Sequence, residues 1–295
     1  MTLEQLRIFL AVAEGLNMTR AADQLHLSQP AVSAAVAALE ARHKTRLFDR
    51  VGKRLELTEA GRAFMPEARA VLSQATAAQR VLEDLGGLLR GELRIFASQT
   101  VATYWLPPRL AHFAAAYPGV SLPYMVGNTA QAVAAIIAGD ADLAFVEGIV
   151  DEPRVSRETL GGDALGLYVA PGHALIGRTL SRDHLKAATW VVREAGSGTR
   201  EHFVKSLDRY GLALSDLNVR LELPSNGAAL GAIEAGGLIA AVSDLAAAAR
   251  CATGQVVRLD CDLPPRSFRA ITHRERRLSR AAEAFLQCVR PSMPA

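Results

Sequence analysis

The chain has 295 residues, of which 50% are hydrophobic and 21% are charged, and its formal net charge is +3 at pH 7. This composition excludes a disordered chain and allows about two domains with hydrophobic cores. The three cysteines form no CxxC pair and have no histidine at metal-ligand spacing, which argues against a disulfide framework or a metal site and favours a reducing compartment.

The N-terminal stretch MTLEQLRIFLAVAE predicts an amphipathic helix rather than a signal peptide. It contains Glu4 and Glu14, lacks a basic start, and spaces its apolar residues like a helix face. No run of about 18 apolar residues without a charge occurs anywhere in the sequence, so we expect no membrane span. The predicted location is the cytoplasm.

Residues 19–40, TRAADQLHLSQPAVSAAVAALE, predict a helix-turn-helix. Ala21 and Ala22 allow a close helix crossing, Ser28 is a good N-cap, and Pro30 suits the first turn of a second helix. The start of that second helix is the part that enters the major groove in such motifs, where Gln can read adenine and an Ala methyl can pack on thymine. A helical hairpin with a solvated outer face is the alternative. The predicted DNA-binding residues of this motif are Thr19, Ser28, Gln29, Pro30, Ala31, Ser33 and Ala34.

The next stretch, RHKTRLFDRVGKR from Arg42 to Arg54, contains six basic residues and one acidic residue. Gly52 supplies a turn, so the stretch predicts a β-wing with a cationic tip. A solvated charged surface is the alternative. We expect Arg50, Lys53 and Arg54 to bind DNA phosphates.

Residues 59–90 predict a long linker helix that pairs two chains. Its apolar residues alternate in spacings of four and three, which is the heptad pattern of a helix packed against a partner helix. Pro66 should kink or loosen the first turns, and Gly86–Gly87 should end or weaken the helix. One long helix lying on its own domain is the alternative. The positions of the repeat are Phe64, Ala68, Val71, Ala75, Ala78, Leu82, Leu85 and Leu89.

From Glu92 onward, predicted strands alternate with predicted helices, which favours parallel sheets with helices on both faces. Two sets of such elements predict a two-lobed domain over residues 91–295. We expect lobe I to comprise about 91–162 and 266–295, and lobe II about 163–265.

Polar side chains follow most of these strands, and ligands of such sheets bind at the carboxyl ends of the strands. The stretch REAGSGTR, residues 193–200, opens a helix and has Arg200 where a capping box would have Glu or Gln. We therefore expect free helix N–H groups and Arg200 to bind an anion. Helix capping is the alternative role for each residue. The predicted effector-binding residues are Ser98, Gln99, Thr100, Asn128, Thr129, Glu147, Ser197, Gly198, Thr199, Arg200 and Ser225, and Asn226 and Ser243 also follow strands.

No catalytic motif is complete. The stretch GSGTREHF lacks the Gly-Lys-Ser/Thr of a P-loop, and Glu201 stands where GxGxxG requires its third glycine. We therefore expect no enzymatic activity and no cofactor. A cytoplasmic solute-binding protein without specific DNA recognition is the alternative to a DNA-binding regulator.

The segments LRIFLAVAE, TRAADQLHLSQPAVS, RLFDR and LTEAG, in this order, resemble the winged helix-turn-helix of LysR-type transcriptional regulators. The segments GNT, VEG and REAGSGTR are similar to the effector domain of a subgroup that includes regulators of sulfur assimilation and carbon fixation. Ala34 departs from the larger polar or basic residue that this family often carries, which shifts base readout to Gln29, Ser33 and the wing.

The resemblance implies an α+β multidomain fold with a winged helix-turn-helix at residues 1–58, a linker helix, and a two-lobed α/β domain similar to type 2 periplasmic binding proteins. It also implies promoter DNA and a small anionic co-inducer as ligands. Two chains should form a homodimer through the linker helix, and two dimers a homotetramer. RNA polymerase is a further partner that such a regulator can contact.

Overall fold

The computed structural model describes residues 1–52, 54–84, 90–261 and 263–290, without the side chains of 77 and 80–84. The chain divides into two compact units near residue 86. None of the described helices is long and apolar enough to cross a membrane.

The first unit contains four helices and a hairpin among its described residues: α1 (Leu3–Gly15), α2 (Met18–Leu25), α3 (Gln29–His43), β1 (Phe48–Val51), β2 (Arg54–Leu57) and α4 (Glu59–Asp84). Side-chain caps set the helix starts, because Asn17 accepts hydrogen bonds from two N–H groups of α2 and Ser28 accepts one from Ala31. His26 adopts a left-handed conformation that ends α2 and makes the turn before α3.

The core of the first unit includes the start of α4. Phe9 packs against Phe48 and Phe64 with ring centroids 5.5 and 5.0 Å apart, and Ala68 is fully buried in the same cluster. The first two positions of the predicted heptad repeat therefore pack on their own domain, as the alternative stated, while Val71 is 42% exposed. The helix continues through Pro66. The side chain of Leu82, Leu85, Leu89 and the Gly86–Gly87 pair lie outside the described residues.

The second unit has the following elements in chain order: β3 (Gly91–Glu92), β4 (Ile95–Ser98), α5 (Gln99–Tyr104), α6 (Pro107–Ala116), β5 (Val120–Ser121), β6 (Tyr124–Gly127), α7 (Thr129–Ala138), β7 (Leu143–Val146), β8 (Val155–Asp163), β9 (Leu165–Val169), α8 (Arg182–Ala187) and β10 (Thr189–Arg193). It continues with α9 (Gly198–Leu207), β11 (Asn218–Leu223), α10 (Asn226–Glu234), β12 (Ile239–Ser243), α11 (Asp244–Ala252), β13 (Val257–Arg258), β14 (Arg266–His273) and α12 (Arg280–Val289). Two 3-10 turns, Asp208–Tyr210 and Leu214–Asp216, follow α9.

These elements form two lobes, each with a five-stranded sheet. The sheet of lobe I has the order β6-β4-β7-β14-β8, and that of lobe II has the order β11-β10-β12-β9-β13. In lobe I, β6, β4 and β7 are parallel to one another, and β14 is antiparallel to both of its neighbours, β7 and β8. The chain enters lobe II after β8 and returns at β14.

The core of lobe I includes side chains from the stretch that returns from lobe II. Phe285 on α12 packs edge-on against Phe113 and Phe145, with ring centroids 5.0 and 5.7 Å away. Phe113 on α6 lies before the part of the chain that forms lobe II, and Phe285 on α12 lies after it. The core of lobe I therefore combines two separate stretches of the chain.

Candidate functional site

The start of α3 presents to solvent the residues that the sequence predicts to bind DNA. Gln29, Pro30, Ala31 and Ala34 are exposed and Ser33 is half-buried, whereas the opposite face of the helix is buried through Val32, Val36 and Leu39. Gln29 Nε2 donates to Ser33 Oγ at 2.8 Å, so both polar groups lie on one face. Thr19 is exposed at the start of α2, and the Ser28 hydroxyl caps α3 through the Ala31 N–H.

The predicted wing is the antiparallel hairpin of β1 and β2, in which Val51 is paired with Arg54 and Arg50 with Leu55. Arg50 and Arg54 are exposed. Arg46 pairs with Asp49 at 3.3 Å, which partly neutralises the base of the hairpin. Lys53 lies outside the described residues.

Between the lobes, helix N-termini from both sides meet. Asn226, at the start of α10, donates through Nδ2 to Thr100 Oγ1 at 2.9 Å and to Gln99 Oε1 at 3.0 Å. Asn128, just before α7, donates to the carbonyl of Ala195 at 3.3 Å, just before α9. The predicted residues Gln99, Thr100 and Asn128 thus make hydrogen bonds between lobe I and lobe II.

Gly198 allows α9 to approach α7 closely. A Cβ atom at this position would lie 2.6 Å from Gly148 Cα and 3.0 Å from Thr129 Oγ1. Thr129 and Ser197 are 2% and 1% exposed, and their hydroxyl oxygens have no hydrogen-bond partner within the described part of the chain. Buried polar atoms normally have partners. These two hydroxyls, at the starts of α7 and α9, are therefore suited to bind a small polar ligand.

A buried ionic network lies beside these hydroxyls. The side chain of Arg266 has no exposed surface, and it pairs with Asp163 at 2.5 Å and with Glu147 at 3.6 Å. Arg266 Nη1 also donates to Thr199 Oγ1 at 2.9 Å, and the Ser98 hydroxyl donates to the Glu147 carboxylate. The network thus joins strand ends of lobe I to the start of α9 in lobe II.

The sequence pattern does not reveal Arg266, Asp163 or the role of Ser243, whose hydroxyl donates to Asp163 at 2.5 Å. No local pattern marks Arg266 as a site residue, because it is the first residue of an ordinary strand, β14. One guanidinium faces two carboxylates, so the buried side chains do not make this site cationic. Attraction of an anion would have to come from the helix N-termini.

Two predicted residues have other roles in the structure. Arg200 Nη1 donates to Glu222 Oε2 at 2.5 Å and to the Arg193 carbonyl at 3.0 Å, so its charge is already paired with a carboxylate on β11. Ser225 caps α10, because its hydroxyl accepts from the Ala228 N–H at 3.1 Å. These contacts favour structural roles for Arg200 and Ser225 over the predicted binding of the effector.

His202, one turn into α9, contacts the same network from the other side. Its Nε2 lies 3.0 Å from the Glu147 carbonyl oxygen. Burial, and next the nearby Arg266 charge, lower the pKa of His202 below its ordinary value. The neutral imidazole is therefore the favoured form beside Arg266.

Family models match both units. The model described as bacterial regulatory helix-turn-helix protein, lysR family, matches residues 3–62, and the LysR substrate binding domain matches residues 86–294. The chain belongs to the LysR family of transcriptional regulators. It therefore combines a DNA-binding helix-turn-helix with an effector-binding domain, and this assignment does not favour the alternative of a solute-binding protein.

Known LysR regulators resemble the chain over nearly its whole length. It is 33% identical over 293 residues to the uncharacterized HTH-type transcriptional regulator YeiE of Escherichia coli K12, covering 99% of this chain and 98% of that protein. It is 35% identical over 291 residues to the RuBisCO operon transcriptional regulator of Allochromatium vinosum, covering 98% and 95%. The structure of full-length CbnR complexed with its target DNA aligns with a TM-score of 0.70 at 25% identity, covering 98% of this chain and 99% of that one. The predicted multidomain LysR fold is thereby confirmed.

Proposed function

We propose that this LysR regulator senses a small anionic metabolite between its two lobes and transmits binding to promoter DNA. The pair of buried hydroxyls on Thr129 and Ser197 carries this proposal, because both lie at helix N-termini that face each other across the lobes. N–H groups and the helix dipole favour an anion at such a place. Ser98, Thr100, Asn128 and Thr199 position the surrounding elements.

A thermal-shift screen of the full chain against sulfur, phosphate and carboxylate metabolites tests this proposal. A true effector at 100 times its dissociation constant should add about 2.7 kcal/mol to the free energy of unfolding. Thr129→Val and Ser197→Ala should then weaken affinity about tenfold or more, since each removes a hydrogen bond to a charged group. Ser121→Ala, at an exposed site on β5, is the matched control. Unchanged affinity in both site variants would place the ligand elsewhere.

The charge of the effector is tested separately by Glu147→Gln. Glutamine keeps an oxygen that can accept the Ser98 hydroxyl proton but removes a buried negative charge. An anionic effector should bind this variant more tightly, whereas weaker binding would indicate a cationic effector. Glu222→Gln, at the exposed ion pair with Arg200, controls for a general change of charge.

On the DNA side, we propose that Gln29 and Ser33 read bases while Arg50, Lys53 and Arg54 bind phosphates. Thr19, Ser28, Pro30, Ala31 and Ala34 complete the contact surface. Gln29→Ala should reduce the free-energy difference between operator and random DNA by about 1 to 3 kcal/mol. Equal losses on both DNAs, measured by fluorescence anisotropy, would make Gln29 a phosphate contact.

We propose further that the chain acts in the cytoplasm, where promoter DNA is, as a homodimer through α4 and as a homotetramer of two such dimers. A two-fold protein reads a partly palindromic site, so footprinting should show two related half-sites. Regulation requires binding alone, and the proposed effector is a co-inducer rather than a cofactor or a substrate.

A further inference from the structure

A cavity lies between the lobes, next to the proposed effector site and outside it. Its volume is about 670 Å³, within the range of small-molecule sites. Lobe I contributes Arg157 on β8, Arg269 on β14 and the loop after β7, and lobe II contributes His202 and Lys205 on α9 and Arg209 on the turn that follows.

This cavity, which we call the basic pocket, has several basic side chains among its described lining residues. Four of its lining residues are Arg or Lys, and its described lining residues include no Asp or Glu. Glu201, one turn before Lys205 on α9, accepts a hydrogen bond from the Ile149 N–H at 3.1 Å. Arg157 and Arg269 each donate one Nη1 to a backbone carbonyl, of Val150 and Gly148 respectively, which holds both guanidinium groups at the wall.

The loop after β7 separates the basic pocket from the effector site. Its Glu147 side chain contacts Ser98 and Arg266 in the effector site, while the carbonyls of Glu147 and Gly148 contact His202 and Arg269 on the pocket side. A ligand in the basic pocket would therefore contact both lobes and the segment that carries Glu147.

We propose that the basic pocket binds a small molecule with at least two anionic groups, such as two phosphates, and holds the two lobes together. Two separated anions can pair with cations from both lobes at once, which a single small anion cannot do as well. The cavity volume of about 670 Å³ is in the range of small-molecule sites. The binding itself is independent of the function proposed for the effector site.

Calorimetry of the full chain with inorganic pyrophosphate, and with inorganic phosphate for comparison, tests this assignment. Pyrophosphate should bind more tightly than phosphate. The double variant Lys205→Gln/Arg209→Gln should raise its dissociation constant about tenfold, because two exposed charges are removed from the pocket. The variant Lys186→Gln/Arg220→Gln removes the same charge from exposed sites elsewhere on lobe II and should bind as the wild type does.

Three outcomes would overturn the proposal. Equal losses in the two double variants would show a general charge effect. Loss of pyrophosphate binding in Ser197→Val but not in Lys205→Gln/Arg209→Gln would place pyrophosphate in the effector site. Weaker binding of operator DNA with unchanged pyrophosphate binding in Lys205→Gln/Arg209→Gln would make the surface a DNA contact.

Discussion

At the scale of single residues, two arginines near the proposed effector site differ in their surroundings. Arg266 is fully buried between Asp163 and Glu147, whereas the side chain of Arg200 is 22% exposed and pairs with an exposed Glu222. Removing one partner of a buried ion pair lowers the free energy of unfolding strongly, because the other charge stays buried and uncompensated. An exposed pair contributes little.

Arg266→Met should therefore lower the free energy of unfolding by about 3 to 5 kcal/mol. Arg200→Met should lower it by no more than about 1 kcal/mol and should leave effector affinity unchanged. Urea unfolding measures both variants. Adding Asp163→Asn and Glu147→Gln to Arg266→Met should restore part of the loss, and no restoration would show that packing rather than charge dominates.

His202 should make folding stability depend on pH. Its pKa in the folded state is below the ordinary value, so the unfolded chain takes up the proton first as pH falls. Stability should drop from about pH 6.5 downward until the folded-state pKa is reached, by at most about 1.4 kcal/mol per pH unit. His202→Gln should show a shallower drop in urea unfolding at pH 7.5 and 5.5. Burial also lowers the pKa of His173 and His273, so part of the dependence should remain.

At the scale of elements, the start of α3 and the β1–β2 hairpin of the first unit carry different kinds of exposed side chain. The start of α3 carries uncharged groups suited to base edges, and the β1–β2 wing carries exposed arginines suited to phosphates. Phosphate contacts release counterions and make affinity depend on salt, whereas base contacts set the preference for one sequence.

Arg50→Ala/Arg54→Ala should weaken binding to operator and random DNA alike. The slope of log affinity against log salt should become shallower by roughly one unit per lost phosphate contact. Anisotropy titrations between low and moderate salt measure the slope. Arg182→Ala/Lys186→Ala on α8 should leave it unchanged, and an unchanged slope in the wing variant would remove the hairpin from the DNA interface.

At the scale of the whole molecule, the first turns of α4 and its later turns have different surroundings. Phe64 and Ala68 belong to the core of the first unit, while Val71 is 42% exposed in the single chain. The first positions of the apolar repeat therefore make contacts within the chain itself. Beyond Ala68, its exposed apolar positions are available to a second chain.

Val71→Asp should dissociate the dimer, because a carboxylate at the helix seam cannot be hydrated while the helices remain paired. Folding of the monomer should be unaffected, since Val71 is exposed in the single chain. Gln74→Asp, exposed on the same helix but off the repeat, is the matched control. Sedimentation velocity should show a smaller species for Val71→Asp only, and an intact oligomer would mean that α4 does not pair through this face.

Sequence patterns predicted most helices and strands because the caps, turns and apolar periodicity that define these elements lie within a few residues. Ser28 and Pro30 mark the start of α3, and the alternation of apolar strands with helices predicts sheets that carry helices on their faces. The long strand β8 had no such signal, since its exposed residues do not alternate regularly with buried ones. It forms because β14 pairs along its whole length.

The sequence by itself determined the helix-turn-helix, the hairpin that follows it, the alternation of strands and helices and most polar residues at the strand ends, because caps, turns and periodicity act over a few residues. Only the tertiary structure decided which charges meet. Arg266 reaches Asp163 across 103 residues and Thr199 across 67, while Arg200 pairs with Glu222 on the neighbouring strand. Coulomb energy depends on distance and burial, and neither can be read from the order of residues along the chain.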